Sequence, residues 1–356
     1  MYRITTRHRL TVAAVVVGTA LAATACNASA DKDKSPAAGG TGGDSAKNIV
    51  LVTPEPIGVN DFLKLAATGA QNAARKAGGS ATVLESKDTS AIQQNVEAAV
   101  RQKPAVVVAV GFEFADVLAQ QAEANPKQQF LFVDSCTTKP YPNITCATFR
   151  EHEGTFLAGA EAGLLTKSGK VGAVVALDSP QIRRFSDPFG AGAKQTNPAS
   201  AFTQLFVGGQ KPFNDPARAS EQTASLKAKD VDQIMGAASA AGNLGVFNAA
   251  KAAGVQAYGV DVNQCSAAPG TVVDNVIKRT DIAVAQGVDQ IVGGKPGGVT
   301  SYGLKEGGIT LTGMEPGLET SQCLIAQHPD VLKTVLGLRD QIVGGTITVA
   351  DPAAAK

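Results

Sequence analysis

Cysteines, histidines and strand-end acids are the residues of this chain whose chemistry could define a function. The three histidines, His8, His152 and His328, are scattered, and no two cysteines stand as Cys-x-x-Cys, so no metal set is expected. His152 and His328 lie beside helix ends and read as surface or capping residues. The chain has no Gly-x-Ser-x-Gly, His-Glu-x-x-His or Gly-x-x-x-x-Gly-Lys-Ser/Thr. No catalytic residue and no cofactor is therefore assigned. Setting Cys26 aside leaves Cys136, Cys146, Cys265 and Cys323, an even count that favours disulfides in an exported chain. Three pairings are possible. Cys136 and Cys146 bracket Lys139-Pro140-Tyr141-Pro142-Asn143, so the reading is Cys136 with Cys146 and Cys265 with Cys323.

Export is read from the N-terminus. Arg3, Arg7, His8 and Arg9 precede an apolar run from Thr11 to Leu21, which ends at Ala22-Ala23-Thr24-Ala25-Cys26. That run is short for a spanning helix and suits a signal peptide over 1–25. Cys26 then becomes the new terminus and the expected lipidation site, although Ala23 stands where a lipobox has Leu. Residues 26–47 are rich in Ala, Gly, Ser, Lys and Asp and read as a flexible linker. The expected location is the extracytoplasmic face of the cell membrane, held by the lipid alone.

The elements that must position any site begin after Lys47. Lys plus Arg is 32 against 31 for Asp plus Glu, so no global field recruits nucleic acid. Hydrophobic residues make up 44 %, enough for a sizeable core. Short β-branched runs alternate with amphipathic stretches, the signature of an α/β fold with parallel sheets. Helices are expected over Asp61 to Ala77, Arg184 to Lys194, Pro216 to Ala228 and Gly245 to Ala253, among others. The pattern restarts after Arg150, which gives one lobe from 48–150 plus 270–300 and a second from 151–269 plus 301–356. Ligands of such sheets bind beyond the carboxyl ends of the strands. Asp134 and Asp261 each end an expected strand, and two facing sheets would enclose a cleft there.

Several ordered stretches carry a family resemblance. They include Val110-Gly111-Phe112-Glu113-Phe114-Ala115-Asp116, Glu153-Gly154-Thr155-Phe156-Leu157-Ala158-Gly159 and Pro180-Gln181-Ile182-Arg183-Arg184-Phe185. Phe213-Asn214-Asp215-Pro216, Gly242-Asn243-Leu244-Gly245-Val246-Phe247, Tyr258-Gly259-Val260-Asp261 and Val276-Ile277-Lys278-Arg279 follow. Together they resemble the basic membrane protein (BMP) family of ABC-importer binding lipoproteins, which includes purine nucleoside receptors. The resemblance implies a type I periplasmic-binding-protein fold, two Rossmann-like lobes with three hinge crossovers, and no enzymatic activity. It implies a nucleoside or related heterocycle as ligand, ABC permease subunits as partners, and a monomer. Carried over by position, Phe62 and Phe213 would stack on the base. Asp261 and Lys278 would hold ribose hydroxyls, Asp116 or Asp134 would face the base, and Gly242 would open a helix N-terminus to the ligand. Each position has an ordinary structural reading too. Phe62 suits packing at a helix start, Phe213 a hydrophobic staple, Asp215 an N-cap and Lys278 a solvated position. One of Phe112 and Phe114 should face the core. The first loop departs from the family at Leu63-Lys64, where an Asn-Gln pair is usual, which leaves room for a sugar or another polar metabolite, or for a sensor without transport.

Overall fold

The computed structural model describes residues 47–58 and 60–354. The signal peptide, Cys26 and nearly all of the expected linker lie outside these residues. Strands β1 (Ile49–Thr53), β2 (Ala81–Glu85), β3 (Val106–Val110), β4 (Phe130–Val133), β5 (Ile144–Phe149) and β11 (Val299–Tyr302) form one sheet in the order β11-β5-β4-β3-β1-β2. Every pairing in it is parallel. Strands β6 (Lys170–Val175), β7 (Ala201–Phe206), β8 (Gln233–Ala237), β9 (Gln256–Asp261), β10 (Val272–Lys278) and β12 (Ile309–Leu311) form the other, in the order β12-β10-β9-β8-β6-β7. Only β12 runs antiparallel to its neighbour.

The strand sequences explain this arrangement. Ile-Val-Leu-Val-Thr in β1 and Val-Val-Val-Ala-Val in β3 are buried at every residue, as central strands covered on both faces must be. Alternate residues face different partners. Ile49, Leu51 and Val108 join α1 (Asp61–Ala77) in one cluster, whereas Val50, Val52 and Val107 pack with Ile92 and Val96 of α2 (Thr89–Arg101) in another. After β3, Phe114 turns into the core and Phe112 stays half exposed at 50 %. Helix α3 (Ala115–Ala124) follows.

The chain passes between lobes at three points. After β5 it enters α4 (Glu151–Leu165), which packs on α6 (Asp187–Thr196), β10 and β12 of the second lobe. Small residues make that packing close, as expected: a Cβ on Gly159 would strike the carbonyl of Phe189, and one on Gly192 that of Phe156. After β10 the chain returns to the first lobe as α9 (Thr280–Val292), which lies on α1 where Gly69 leaves room for the backbone of Asp281. The third passage joins β11 to β12. Arg150 ties the first and third passages by donating to the Ser301 carbonyl at 2.6 Å and to Glu306. The amide of Arg279 donates to Gly308 O at 2.8 Å and ties in the second.

Four expectations need correction. Strand β10 belongs to the second sheet and β11 to the first, so the second passage falls at 278–280 rather than near 270, and the third falls after 302 rather than 300. The expected helix from Arg184 to Lys194 begins only at Asp187, as α6, separated by a break from the short α5 (Pro180–Arg183), because Pro188 fits only the first turn of a new helix. Helix α7 (Pro216–Lys227) is as expected, but α8 runs Ser239–Ala253 and starts six residues before Gly245. Gly245, expected to begin the helix, lies inside it and serves close packing, since a Cβ would strike the carbonyl of Pro216 in α7. His152 is buried rather than on the surface, with Nδ1 3.9 Å from Asp351. Helix α10 (Pro329–Val343) closes the second lobe. Both expected disulfides form, Cys136–Cys146 and Cys265–Cys323, with Cα atoms 5.3 and 5.0 Å apart. Among the described residues no helix is long and apolar enough to cross a membrane.

Candidate functional site

The carboxyl ends of strands from both sheets converge on a cavity of about 740 Å³. The first lobe contributes the segments after β1, β3 and β4, and the second those after β6, β8, β9 and β10. A smaller hollow of about 490 Å³, lined by Leu65, Val262, Arg279 and Glu315 among others, holds one ion pair, Arg279–Glu315 at 3.3 Å, and no comparable gathering of charge. The chemistry is in the larger cleft.

At its floor Lys278, only 5 % exposed, places its ammonium 2.8 Å from Asp134 and 3.1 Å from Glu151. Three rings surround the same group, with Phe62, Phe149 and Phe185 centroids at 5.2, 5.3 and 5.6 Å. Burial disfavours the charge, but Asp134, Glu151 and Asp261 outweigh it and hold the pKa of Lys278 above that of a free lysine. Lys278 is thus buried and paired, not solvated. Because it ends a second-lobe strand and Asp134 follows a first-lobe strand, this ion pair spans the cleft. Gln181 spans it as well, donating to the carbonyl of Asp134 at 3.2 Å. Arg184 stands next to this cluster, 3.4 Å from Glu151. It donates to Asp351 through two nitrogens at 2.7 Å and to Phe149 O at 3.2 Å.

Asp134 and Asp261 share an unusual backbone, with φ 72° and 71°. Aspartate tolerates this left-handed region better than most residues because its short polar side chain bonds locally. Burial raises the Asp261 pKa, Lys278 opposes that, and Asp134 adds to it. Glu151 is likewise raised by burial, against the pull of Lys278 and Arg184.

The second lobe also presents Ser239, Ala240 and Ala241 at the start of α8. Their amides belong to the first turn, where a helix has no internal acceptor for them. Phe213 lines the same wall, and its carbonyl accepts from Ser239 Oγ at 2.6 Å. Asn214 stands beside it. Asp215 caps α7 by accepting from the Arg218 amide at 3.0 Å, as its ordinary reading had it.

Of the residues singled out from sequence, Phe62, Asp134, Phe213, Asp261 and Lys278 are brought together in the cleft. Asp116 is not: it is exposed in the first turn of α3 and does not line the cavity. Gly242 is not either. It is buried beneath the loop of Phe213, and its amide already donates to Ala238 O at 3.2 Å. The helix starts earlier than read, so Ala240 and Ala241 take the place expected of Gly242. In the first loop Asn60 lines the cleft and caps α1 through the Leu63 amide at 3.3 Å. Lys64 pairs outward with Asp61 at 2.7 Å.

Sequence reasoning missed Glu113, Glu151, Gln181 and Phe185, all of which line the cleft. Glu113 follows β3 within the same stretch as Asp116. Gly111 turns the chain there at φ 113°, a conformation that calls for glycine. Glu113 is an exposed residue, yet protein crowding around its carboxyl raises the pKa. Its own amide opposes this, while Asp134 and Glu55 add to it. Position relative to a strand end was the available signal for Glu113; for Gln181 it was Pro180, which opens α5, and Phe185 offered none.

Comparison with known proteins agrees with this geometry. The Bmp family, described as ABC transporter substrate-binding protein PnrA-like, matches residues 46–347. A CD4+ T-cell-stimulating antigen of Listeria innocua is 30 % identical over 95 % of this chain and 96 % of its own length. The ABC transporter nucleoside-binding protein BmpA of Lactococcus lactis is 29 % identical over 88 % and 92 %. The crystal structure of an ABC transporter system solute-binding protein from Aeropyrum pernix superposes with a TM-score of 0.71 at 25 % identity, covering 86 % of this chain and 94 % of that one. The chain belongs to the Bmp family of ABC transporter substrate-binding proteins and has the type I periplasmic-binding-protein fold. Its task is to bind a substrate, not to transform one.

Proposed function

We propose that this Bmp-family protein captures a nucleoside or closely related heterocycle between its lobes and presents it to an ABC permease on the extracytoplasmic face. One observation carries the reading: Asp261 and Lys278 stand in one cleft with the ring of Phe213. A nucleoside has a flat base and paired ribose hydroxyls. Stacking on an aromatic ring contributes about 1–3 kcal/mol per base. Hydroxyl donors suit a carboxylate that has no direct partner, and a charged lysine donates to their oxygens. A ligand touching both lobes favours the closed form. That the Lactococcus lactis relative carries the words nucleoside-binding supports the same reading.

In this reading the receptor acts as a monomer held at the membrane by acyl chains on Cys26, and Cys26→Ser abolishes incorporation of labelled palmitate. The ligand is tested by mass spectrometry of small molecules released when the purified protein is denatured. A stoichiometric nucleoside is the expected result. A stoichiometric sugar or amino acid in its place refutes the reading.

A further inference from the structure

Three amide side chains are buried behind the second-lobe wall of the cleft. Gln264 reaches the cleft surface, while Asn243 and Asn275 are fully enclosed. Strand glycines make room for them. A Cβ on Gly259 in β9 would strike both Asn275 Oδ1 and Gln264 Oε1, and one on Gly236 in β8 would crowd Asn243 Oδ1. A buried amide without partners destabilises a fold, so the bonds these three make matter. They are bonded to one another in series. Asn275 Oδ1 accepts from Gln264 N at 3.2 Å. Gln264 Oε1 accepts from Asn243 Nδ2 at 2.9 Å and from Val260 N at 3.3 Å. Asn243 Oδ1 accepts in turn from Ala238 N at 3.0 Å, and its Nδ2 also donates to Gly236 O at 3.0 Å.

The series runs between two different ends. At the cleft, Val260 precedes Asp261, and Ala238 precedes the first turn of α8. At the far end stands the buried Cys265–Cys323 disulfide. Asn275 Nδ2 lies 3.1 Å from Cys265 Sγ and donates to Thr312 Oγ1 at 3.0 Å. Asn263 closes the same corner, with Oδ1 accepting from Cys265 N at 2.9 Å and Nδ2 donating to Ser321 O at 3.1 Å. The turn that follows Asp261 is thereby fastened to the segment after β12. The first-lobe disulfide has no such continuation. Cys136 stands two residues after Asp134, yet among the described residues no side-chain hydrogen bond leads from either sulfur of that bridge to the cleft. Asp134 is held instead by Lys278 and, through its carbonyl, by Gln181.

We propose that Asn275, Gln264 and Asn243 are positioning residues that carry the constraint of the Cys265–Cys323 disulfide to the cleft, so that this bridge fixes the placement of Asp261 and of the α8 start and thereby sets substrate affinity. The relay works because its members cannot shift singly. In a buried space, an amide that moves leaves its neighbour's donor or acceptor unpaired, and that penalty keeps the series in register. The contacts are contiguous, which is what a physical coupling between two sites requires. Asn243 and Asn275 act without touching substrate, since both are fully enclosed. Gln264 commits its oxygen to Asn243 and Val260.

The test is hydrogen exchange, read by mass spectrometry on the purified protein without added ligand. Wild type is compared with Cys265→Ala/Cys323→Ala, with Gln264→Met, and with Cys136→Ala/Cys146→Ala as control. The informative peptide spans 236–247, which contains no cysteine and is joined by side-chain bonds to the disulfide through Gln264. Its amides should exchange about tenfold faster in Cys265→Ala/Cys323→Ala and in Gln264→Met, the effect of losing about one buried hydrogen bond. The control should match wild type there, and strand β6 should keep its protection in every variant. Gln264→Met leaves both bridges in place, so it decides alone if the double variant fails to fold. Faster exchange confined to the segments around Cys265 and Cys323 would overturn the relay, and so would an equal rise in β6, which marks general loosening. Calorimetry with adenosine reads the effect on affinity and rests on the nucleoside reading above. Cys265→Ala/Cys323→Ala should bind about tenfold more weakly, and the control within about twofold of wild type. Equal affinity in all three would contradict the link to binding. If wild type does not bind adenosine, that result counts against the nucleoside reading, and the exchange data still decide the relay.

Discussion

The two lobes repeat one plan and put it to different uses. Strand β4 holds the place in the first sheet that β9 holds in the second, and each strand ends at an aspartate with a left-handed backbone, Asp134 and Asp261. Asp134 is bound to Lys278 at 2.8 Å, whereas Asp261 has no side-chain hydrogen bond or ion pair among the described residues. The difference comes from the neighbouring strand. Strand β10 ends in Lys278 where its counterpart β5 ends in Phe149. One strand end supplies a cation and the other a ring for that cation to rest on. Equal backbone geometry therefore accompanies an ion-paired acid in one lobe and, among the described residues, an acid without an ion pair in the other. What distinguishes them is one residue on the adjacent strand.

Breaking that distinction should give the largest effect. Lys278→Met removes the cation and leaves Asp134, Glu151 and Asp261 facing one another in a buried space. The expected loss of folding stability is about 3–5 kcal/mol, the usual consequence of deleting one partner of a buried ion pair. Urea unfolding at neutral pH measures it. A loss below about 1 kcal/mol would mean that water screens the cluster and that it does not order the floor.

A second contrast lies in the cores. Among the described residues no carboxylate is buried within the first lobe's core, while the second buries Glu161 on α4 and Asp274 on β10. Burial pushes Asp274 up to about 7, against the amides of Asn275 and Gly313, and burial together with Asp274 raises Glu161 well above the ordinary value. Tyr258, fully buried with an unpartnered hydroxyl, lies near both. In the unfolded chain such carboxyls release their protons near pH 4. The folded lobe therefore binds more protons over the interval between, so this stabilisation is complete below about pH 4 and lost as pH rises through about 7. The melting temperature should fall from pH 6.5 to 8.5, a range above the one in which His152, lowered by burial, titrates. Glu161→Gln should flatten that slope. An unchanged slope in the variant would assign the pH dependence to other groups.

The smallest effect sharpens the comparison from outside. Asp116 shares a sequence stretch with Glu113 but faces solvent, so Asp116→Ala should change ligand affinity and stability by less than about 0.5 kcal/mol. A larger loss of affinity on calorimetry would return Asp116 to the site.

Much of this arrangement could be read from sequence, and the failures have physical causes. Runs such as Val106–Val110 announce buried parallel strands because both of their faces need apolar cover. Asp134 and Asp261 were legible as strand ends for that reason. The lobe boundary near 270 was not, because Val272–Lys278 pairs equally well with either sheet in pattern, and only packing decides. Asp116 and Glu113 are three residues apart, and the choice between them rests on Gly111 and the turn that follows. Gly242 was read as an open helix start, whereas Asn243, buried and bonded to Ala238 N and Gly236 O, anchors a helix that begins earlier. Glu151 and Phe185 gave no local signal, since one follows a passage between lobes and the other falls in a break between helices.

The central claim is that Asp261, left unpaired by its neighbours, receives the hydroxyls of the ligand. Calorimetry of wild type and Asp261→Ala with a ribonucleoside, its 2′-deoxy form and the free base tests it directly. The substitution should weaken the ribonucleoside by about 1.5–3 kcal/mol, the 2′-deoxynucleoside by less, and the free base hardly at all. An equal loss for all three ligands would show that Asp261 shapes the cleft without touching the sugar, and would contradict the account.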